Sequence, residues 1–81
     1  MEEIFNNLSS LEKQITDFVE GANIVRMGDI LNFLSIKNTE YIQNTVRDLV
    51  NKEVLVMNQN PITPDWTYEL SYFYKHYKNS L

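Results

Sequence analysis

The residues best suited to chemistry lie on one predicted helix, and that chemistry is hydrogen bonding to another molecule. Between Thr39 and Lys52, apolar residues recur at helical spacing, so Gln43, Asn44 and Arg47 fall on the opposite side. A guanidinium matches the two acceptors of a guanine edge, and a carboxamide matches the donor and acceptor of adenine. The pattern therefore offers a face whose groups could match base edges, here called the base-reading face, with a solvated helix face as the alternative.

Other polar residues around this helix are candidates for contacts with a sugar-phosphate backbone. Lys37 stands at the helix entrance, where its ammonium would meet a phosphate. Hydroxyl and amide groups bind the backbone without adding charge. The complete predicted set of DNA-contacting residues is Lys37, Thr39, Tyr41, Gln43, Asn44, Arg47, Asn58 and Asn60.

Catalytic and metal chemistry find little support in the sequence. The chain has no cysteine and a single histidine, His76, which has no paired carboxylate near it. The chain therefore lacks the ligand spacing of a structural zinc site and the convergent groups of an active site. The two glycines do not form a phosphate-binding loop. We expect no enzyme, no cofactor and no metal.

Length and composition predict one globular domain. Eighty-one residues suffice for one small core, and 43% hydrophobic with 22% charged residues is ordinary for a folded protein. No apolar run is long enough to span a membrane, and the acidic start Met1–Glu3 is unlike a secretory signal. We expect a cytoplasmic protein with no membrane partner.

The net charge of −4 opposes a nucleic-acid partner, because phosphate neutralisation supplies much of the affinity for DNA. The distribution of charge matters more than the sum. Residues 1–36 carry six acids and two bases, whereas residues 37–81 carry five of each. A modest positive face on an acidic body is therefore possible around the predicted base-reading helix.

The first half of the chain predicts a long amphipathic helix. Apolar residues keep one helical phase over about residues 3–20. Ser9 and Glu12 have the spacing of a capping box, which favours a short leading turn before the main helix. Gly21 is a natural stop.

Two further elements precede the base-reading helix. The β-branched pair within residues 22–26 favours a very short strand, and Gly28 with Asp29 opens a second helix that reaches Leu34 or Ser35. Asn38 or Thr39 then caps the third helix. Its predicted inward stripe is Ile42, Val46 and Leu49.

The second half predicts a β-hairpin followed by a terminal helix. Val54–Met57 and Trp66–Leu70 alternate as strands around a loop over residues 58–65, which holds two prolines and no lysine or arginine. We expect Trp66 to lie in the core. Ser71 caps a helix that either forms a dimer interface or folds back over its own sheet. The apolar stripe assigned to this interface is Leu70, Tyr74, Tyr77 and Leu81.

These residues resemble the second half of a winged helix-turn-helix domain. The likeness rests on Leu31–Leu34, the turn that follows, the capped helix and the strand Val54–Met57. The resemblance implies an α+β, mostly α fold with a three-helix core, a two-stranded hairpin called the wing, and an extra C-terminal helix. In this family the last core helix enters the major groove. The implied division of the single domain 1–81 is an N-terminal extension 1–8, a winged helix core 9–70 and a C-terminal helix 71–81.

One feature departs from the usual winged helix pattern, and another loosely matches a special class of winged helix. Glu53 stands where many winged helices have a helix-ending glycine, which leaves the tightness of that turn open. Pro64 and Trp66 loosely resemble the wing of winged helices that bind Z-form nucleic acid. Those proteins would have asparagine and tyrosine where this helix has Gln43 and Arg47.

Two functional hypotheses follow from the resemblance and the polar face. The first is a small sequence-specific transcription regulator that binds duplex DNA through residues 39–52 as a homodimer on a palindromic site. The alternative is a winged helix that binds protein, either in a transcription or replication assembly or as a viral or phage protein on a host factor. The abundance of asparagine and isoleucine fits an AT-rich prokaryotic or viral genome.

Overall fold

The first main helix begins at the predicted capping box. The computed structural model describes residues 5–35, 38–59 and 66–80, and helix α1 spans Ser10–Ala22. The Ser9 hydroxyl accepts a hydrogen bond from the Glu12 N–H (3.2 Å), and the Glu12 carboxylate accepts one from the Ser9 N–H (2.9 Å). Both halves of the predicted box are confirmed.

The end of α1 differs from the prediction. The helix continues through Gly21, and Asn23 with φ 71° is the centre of a γ-turn in which the Ile24 N–H donates to the Ala22 carbonyl (3.0 Å). The predicted stop at Gly21 is wrong, because asparagine, among the residues that best tolerate positive φ, supplies the reversal two positions later.

A short strand leads directly into the second helix. Strand β1 is Val25–Arg26, as predicted, and helix α2 is Met27–Leu34. The helix begins before the expected Gly28 because the Asp29 carboxylate accepts a hydrogen bond from the Arg26 N–H (3.0 Å) and so caps the first turn.

Helix α3, Thr39–Asn51, is the element on which α1 and α2 converge. The Asn38 side chain caps it by accepting a hydrogen bond from the Tyr41 N–H (3.0 Å). The helix packs against α1, α2 and the strand that follows it. The predicted inward stripe is confirmed, since no more than 1% of Ile42, Val46 or Leu49 is exposed.

The turn after α3 is tight although it contains no glycine. Glu53 adopts φ 63°, so its N–H donates to the Val50 carbonyl (3.0 Å) and the Val54 N–H donates to the Leu49 carbonyl (2.9 Å). A side chain with a β-carbon is disfavoured at this φ. The glutamate in place of glycine therefore introduces backbone strain but leaves the geometry of the turn intact.

The hairpin consists of strands β2, Leu55–Gln59, and β3, Trp66–Leu70. Both outer strands pair antiparallel with β3, in the order β1-β3-β2. Leu55 lies opposite Leu70, and Gln59 lies opposite Trp66. Asn58 and Gln59 therefore belong to β2, which corrects the expected loop over residues 58–65. Asn60 lies outside the described residues.

The terminal helix α4, Tyr72–Asn79, begins at the predicted Ser71 cap and folds back onto its own chain. Tyr74 is buried in edge-to-face contact with Phe5 (centroids 5.2 Å), and Leu70 is buried as well. The prediction that these two side chains face a second subunit is therefore wrong. Tyr77 is half-buried and donates a hydrogen bond to the Asn6 side chain, while Leu81 lies outside the described residues.

One hydrophobic core joins all these elements. Phe5 and Leu8, from the segment expected to be an N-terminal extension, contribute to it. None of the described helices is long and apolar enough to cross a membrane. The buried apolar side chains are Phe5, Leu8, Ile15, Val19, Val25, Ile30, Ile42, Val46, Leu49, Val54, Leu55, Tyr68, Leu70 and Tyr74.

An ion pair ties the start of α1 to the end of α3. The Lys52 ammonium donates to the Glu12 carboxylate at 2.7 Å, and only 9% of the Glu12 side chain is exposed. Burial by itself raises the pKa of Glu12. The hydrogen bonds from Lys52 and Ser9 outweigh burial, and the pKa is held below its ordinary value of 4.5.

We expect Glu53→Gly to raise the free energy of unfolding by about 1 kcal/mol, because it removes the β-carbon from a residue held at positive φ. Denaturant unfolding measures the change. Glu53→Ala is the matched control, since it removes the carboxylate but keeps the β-carbon, and it should stabilise by much less. Equal gains in the two variants would contradict the account of strain.

We expect Glu12→Gln to lower the free energy of unfolding at neutral pH by about 1 kcal/mol, a value reduced by the partial exposure of Lys52. The pKa of Glu12 is lower in the folded than in the unfolded state. The contribution of the carboxylate is therefore complete above pH 4.5 and is lost as the pH falls through the folded pKa.

Unfolding of wild type and Glu12→Gln from neutral to acidic pH measures this linkage, and the gap between them should close on acidification. Glu20→Gln is the control, because it removes the more exposed ion pair with Lys78 (2.9 Å) and should change stability less. A gap that stays constant with pH would rule out the carboxylate as its cause.

Candidate nucleic-acid interface

The outward face of α3 carries the residues predicted to read bases. Gln43, Asn44 and Arg47 are all exposed, as are Thr39 and Tyr41 in the first turn. Lys37 and Asn60, two further predicted contacts, lie outside the described residues. Five of the eight predicted residues are thus exposed on one helix, and two of them, Gln43 and Arg47, line the same groove.

The backbone beneath this face is held firmly. The Thr45 hydroxyl donates to the Tyr41 carbonyl (2.8 Å), and Thr45 itself is buried beside the apolar stripe. Because one side of α3 is locked into the core, the opposite side chains project from a fixed helix. A rigid helix holds them in a constant relative arrangement, which direct recognition of base edges requires.

A groove of about 820 Å³ runs beside this face, between α3, the start of α2 and the hairpin. Its lining combines aromatic, thioether, carboxamide and guanidinium groups. The residues that line it are Arg26, Met27, Gly28, Asp29, Asn32, Gln43, Arg47, Val50, Asn51, Met57, Trp66 and Tyr68.

The groove exists because the hairpin is longer than the core it covers. Residues paired across β2 and β3 point to the same side of the sheet, so Leu55 and Leu70 share the core-facing side with Met57 and Tyr68. The first pair is buried, whereas Met57 is exposed. The hairpin therefore overhangs the helices and leaves an open space beneath its outer half.

Trp66 lies at the outer end of this overhang and not in the core. It is 47% exposed and lines the groove together with Arg47. The expectation that Trp66 is a core residue is therefore wrong. Its position at the far end of a five-residue strand carries it past the last buried pair, and the length of the hairpin was the only signal in the sequence.

Asn58 reaches the surface from the opposite side of the hairpin. The Asn58 side-chain amide donates to the Glu69 carboxylate (3.4 Å), and the Asn58 backbone carbonyl accepts a hydrogen bond from the Thr67 hydroxyl (3.2 Å). Because side chains alternate along a strand, Asn58 does not point into the groove that Met57 lines. It stands apart from the face of α3.

The electrostatics of the site centre on Arg47. None of the described residues forms an ion pair with it, whereas Lys52 and Lys78 are each paired with a glutamate. Burial raises the pKa of the Tyr68 hydroxyl, and the positive charge of Arg47 opposes that rise. Arg47 is thus a cation that faces the groove and is available to a ligand.

Acidic residues limit the strength of this positive charge. Glu40 and Asp48 are exposed on the same helix as Arg47. Carboxylates near a bound phosphate weaken its attraction. The face therefore favours hydrogen bonding by a few well-placed groups over attraction by a broad basic surface.

The described residues contain no metal centre. No group of three or more histidine, aspartate or glutamate side chains among residues 5–35, 38–59 and 66–80 could hold a metal ion. His76 is exposed on α4 and stacks on Tyr72 with centroids 6.2 Å apart. Its place in the fold is remote from the groove lining.

Two residues that sequence reasoning did not connect with the site are Arg26 and Asn32. Both line the groove, although they come from β1 and α2. Nothing in their local sequence indicates a common site, because only the packing of α2 against α3 and β3 brings them together.

Comparisons with known proteins identify the fold. No protein-family model and no curated protein sequence matches the chain. A cysteine-to-serine mutant of MarR from E. coli, solved in complex with operator DNA, superposes with a TM-score of 0.79 at 12% identity over 91% of this chain and 53% of that chain.

Two further solved structures agree. The adhesin competence repressor AdcR from Streptococcus pyogenes superposes with a TM-score of 0.76 at 15% identity, over 91% of this chain and 55% of that chain. A further structure of MarR superposes with a TM-score of 0.78 at 13% identity over 91% and 54%. The chain thus spans about half the length of the proteins it resembles, and it has the winged helix fold that the sequence predicted.

Proposed function

We propose that this chain is a DNA-binding transcription regulator that places α3 in the major groove of duplex DNA. The observation that carries the proposal is the exposed row of Gln43, Asn44 and Arg47 on a helix whose other side is locked into the core. The likeness to a MarR structure solved with operator DNA supports the same reading. A role in regulation, and not in catalysis, fits both observations.

The three side chains have the chemistry needed to distinguish bases. Arg47 would donate to both acceptors of a guanine, and Asn44 or Gln43 would pair with an adenine edge. Each such contact contributes about 1–3 kcal/mol of discrimination. Gln43 and Arg47 lie one helical turn apart, so successive base pairs are within their reach.

Neutral groups would complete the contact with the backbone. The hydroxyls of Thr39 and Tyr41 are exposed at the N-terminal end of α3, which faces phosphate favourably. Lys37, two residues before α3, would add a charge at the same end, and Asn60, next to β2, would add a neutral contact. The Asn58 side chain, which faces away from the groove, is left out of this contact. This arrangement would contact DNA with few positively charged side chains.

A dimer remains part of the proposal because one monomer offers so few positive charges. Two copies on a palindromic site would double the contacts that each helix makes. The burial of Leu70 and Tyr74 takes these two side chains out of the expected interface, so we look for the dimer contact elsewhere.

The protein-binding alternative also has a specific observation in its favour. Glu40 and Asp48 flank Arg47 on α3, and the exposed Trp66 and Met57 give the groove an apolar wall. Charge of both signs around exposed apolar groups is common at protein interfaces. Binding that does not weaken with salt would favour this second function.

Arg47→Ala should weaken binding to duplex DNA at least about fivefold, because it removes both a base contact and a positive charge. A mobility-shift titration with a labelled random-sequence duplex, followed by duplexes enriched from that pool, measures the change. Lys75→Ala is the matched control, since it removes one exposed positive charge from α4 and should have little effect.

Repeating the titration at two salt concentrations separates the two functions. The logarithm of the association constant for DNA should fall linearly with the logarithm of the salt concentration, with a slope of about −0.9 per phosphate contacted. No retardation of either kind of duplex at low salt would contradict the proposed function.

Trp66 gives an independent measurement, because it is the only tryptophan. If the groove forms part of the interface, saturating duplex should change the tryptophan emission, with the same midpoint as the mobility shift. Trp66→Phe should abolish the signal while largely keeping affinity. Unchanged emission during tight binding would exclude the groove from the interface.

A further inference from the structure

One of the two edges of the described sheet is formed by β2, and its sequence carries no protective charge or proline. The strand order leaves β2 on the outside, and Val56 and Met57 are 38% and 43% exposed. No charged residue or proline lies between Val54 and Gln59. Soluble proteins usually protect such an edge with charge, proline or a bulge, so an unguarded edge marks a site of strand pairing.

The pattern of hydrogen bonds shows which backbone groups face outward. The Ser71 N–H donates to the Val54 carbonyl (2.9 Å), so Val54 points its backbone groups towards the β3 side. Hydrogen-bonded and non-hydrogen-bonded positions alternate in an antiparallel ladder. Val56 and Asn58 therefore also face β3, and the backbone N–H and C=O groups of Met57 and Gln59 point away from it.

The outward groups belong to a part of the strand that is accessible. Residues 56–59 are all exposed, and in the described chain no strand lies on this side of β2. The Thr67 hydroxyl binds the Asn58 carbonyl, which supports the assignment of Asn58 to the inward set. The edge thus offers two donors and two acceptors in the spacing of a β-ladder.

We infer that β2 pairs antiparallel with β2 of a second copy of this chain, so that two sheets join edge to edge. With Asn58 on the two-fold axis, each Met57 lies opposite Gln59 of the other copy. Both residues of such a pair point their backbone groups outward, so they exchange two hydrogen bonds. The strand is complementary to itself in this register.

The self-complementary register favours a second copy as the occupant, and the charge distribution permits it at this edge. The chain as a whole carries −4, so two copies repel each other where their charged surfaces meet. The uncharged stretch from Val54 to Gln59 is a place where two copies meet without placing like charges directly opposite each other. Pairing would also cover part of Val56 and Met57.

The pairing has a consequence for DNA that rests on the proposed function, whereas the pairing itself does not. The two-fold axis of an antiparallel strand pair is perpendicular to the sheet. The faces that carry the helices therefore lie on the same side of the joined sheet. Both α3 helices would be available to one duplex, as a palindromic site requires.

Met57→Pro tests the pairing directly. Proline removes an N–H that points outward, so the ladder between β2 and β3 keeps its hydrogen bonds. In the absence of DNA, sedimentation over a concentration series should show a dimer for wild type and for Met57→Leu, which keeps the N–H. Met57→Pro should sediment as a monomer with an unchanged circular dichroism spectrum.

Two results would overturn the inference. One is a wild-type chain that stays monomeric throughout the series, and the other is a folded Met57→Pro chain that still dimerises. Because no DNA is present, either result leaves the proposed function to be judged by the mobility shifts. Loss of the dimer in Phe73→Ser but not in Met57→Pro would place the contact on α4 instead.

A cross-linking experiment covers the case in which Met57→Pro does not fold. The chain has no native cysteine. At a non-hydrogen-bonded position on the two-fold axis, the two α-carbons are about 4.5 Å apart, which a disulfide spans. Asn58→Cys should therefore form a covalent dimer under mild oxidation, and Phe73→Cys, exposed on α4, should not. The reverse result would overturn the inference.

Discussion

The structure depends on the clamping of the apolar side of α3 onto the rest of the chain. Ile42, Val46 and Leu49 are almost entirely removed from water, and α1, α2 and β2 all pack against this helix. Burial of side chains of this size contributes about 1.5–3 kcal/mol each. This single contact fixes the direction of α3, and the direction of α3 decides which polar groups are presented to a ligand. The ion pair between Glu12 and Lys52 adds a polar tie at the same junction.

The candidate site arises where the hairpin extends beyond the core. Its base is buried through Leu55 and Leu70, while its outer half carries Met57 and Trp66 over open space. A fold whose core covered the entire sheet would have buried these side chains and closed the groove. The excess length of the hairpin instead adds an aromatic wall to the exposed row on α3. The result is a surface that combines hydrogen bonding, the positive charge of Arg47 and apolar contact.

The acidic character of the chain and the folding back of α4 together shape how copies of it can meet. Tyr74 inserts against Phe5, so the aromatic stripe of the terminal helix completes the core of one chain. The exposed part of β2 carries no charge. The terminal helix is thus used within one chain, and the β2 strand is left without protective charge. Both bear on how a face with few cations would gain affinity from symmetry.

The sequence by itself determined the order of the elements, the start of α1 and the buried side of α3. The capping boxes and the apolar periodicity are local, and short-range hydrogen bonds and helical spacing set them wherever the segment sits in the fold. This is why the start of α1 and the inward stripe of α3 were predictable, and also the five exposed side chains at the start and centre of α3. Tertiary structure alone decided the roles of Trp66, Tyr74 and the groove. Whether an apolar side chain is buried depends on how far another element extends over it, and that distance is set by packing between segments remote in the chain.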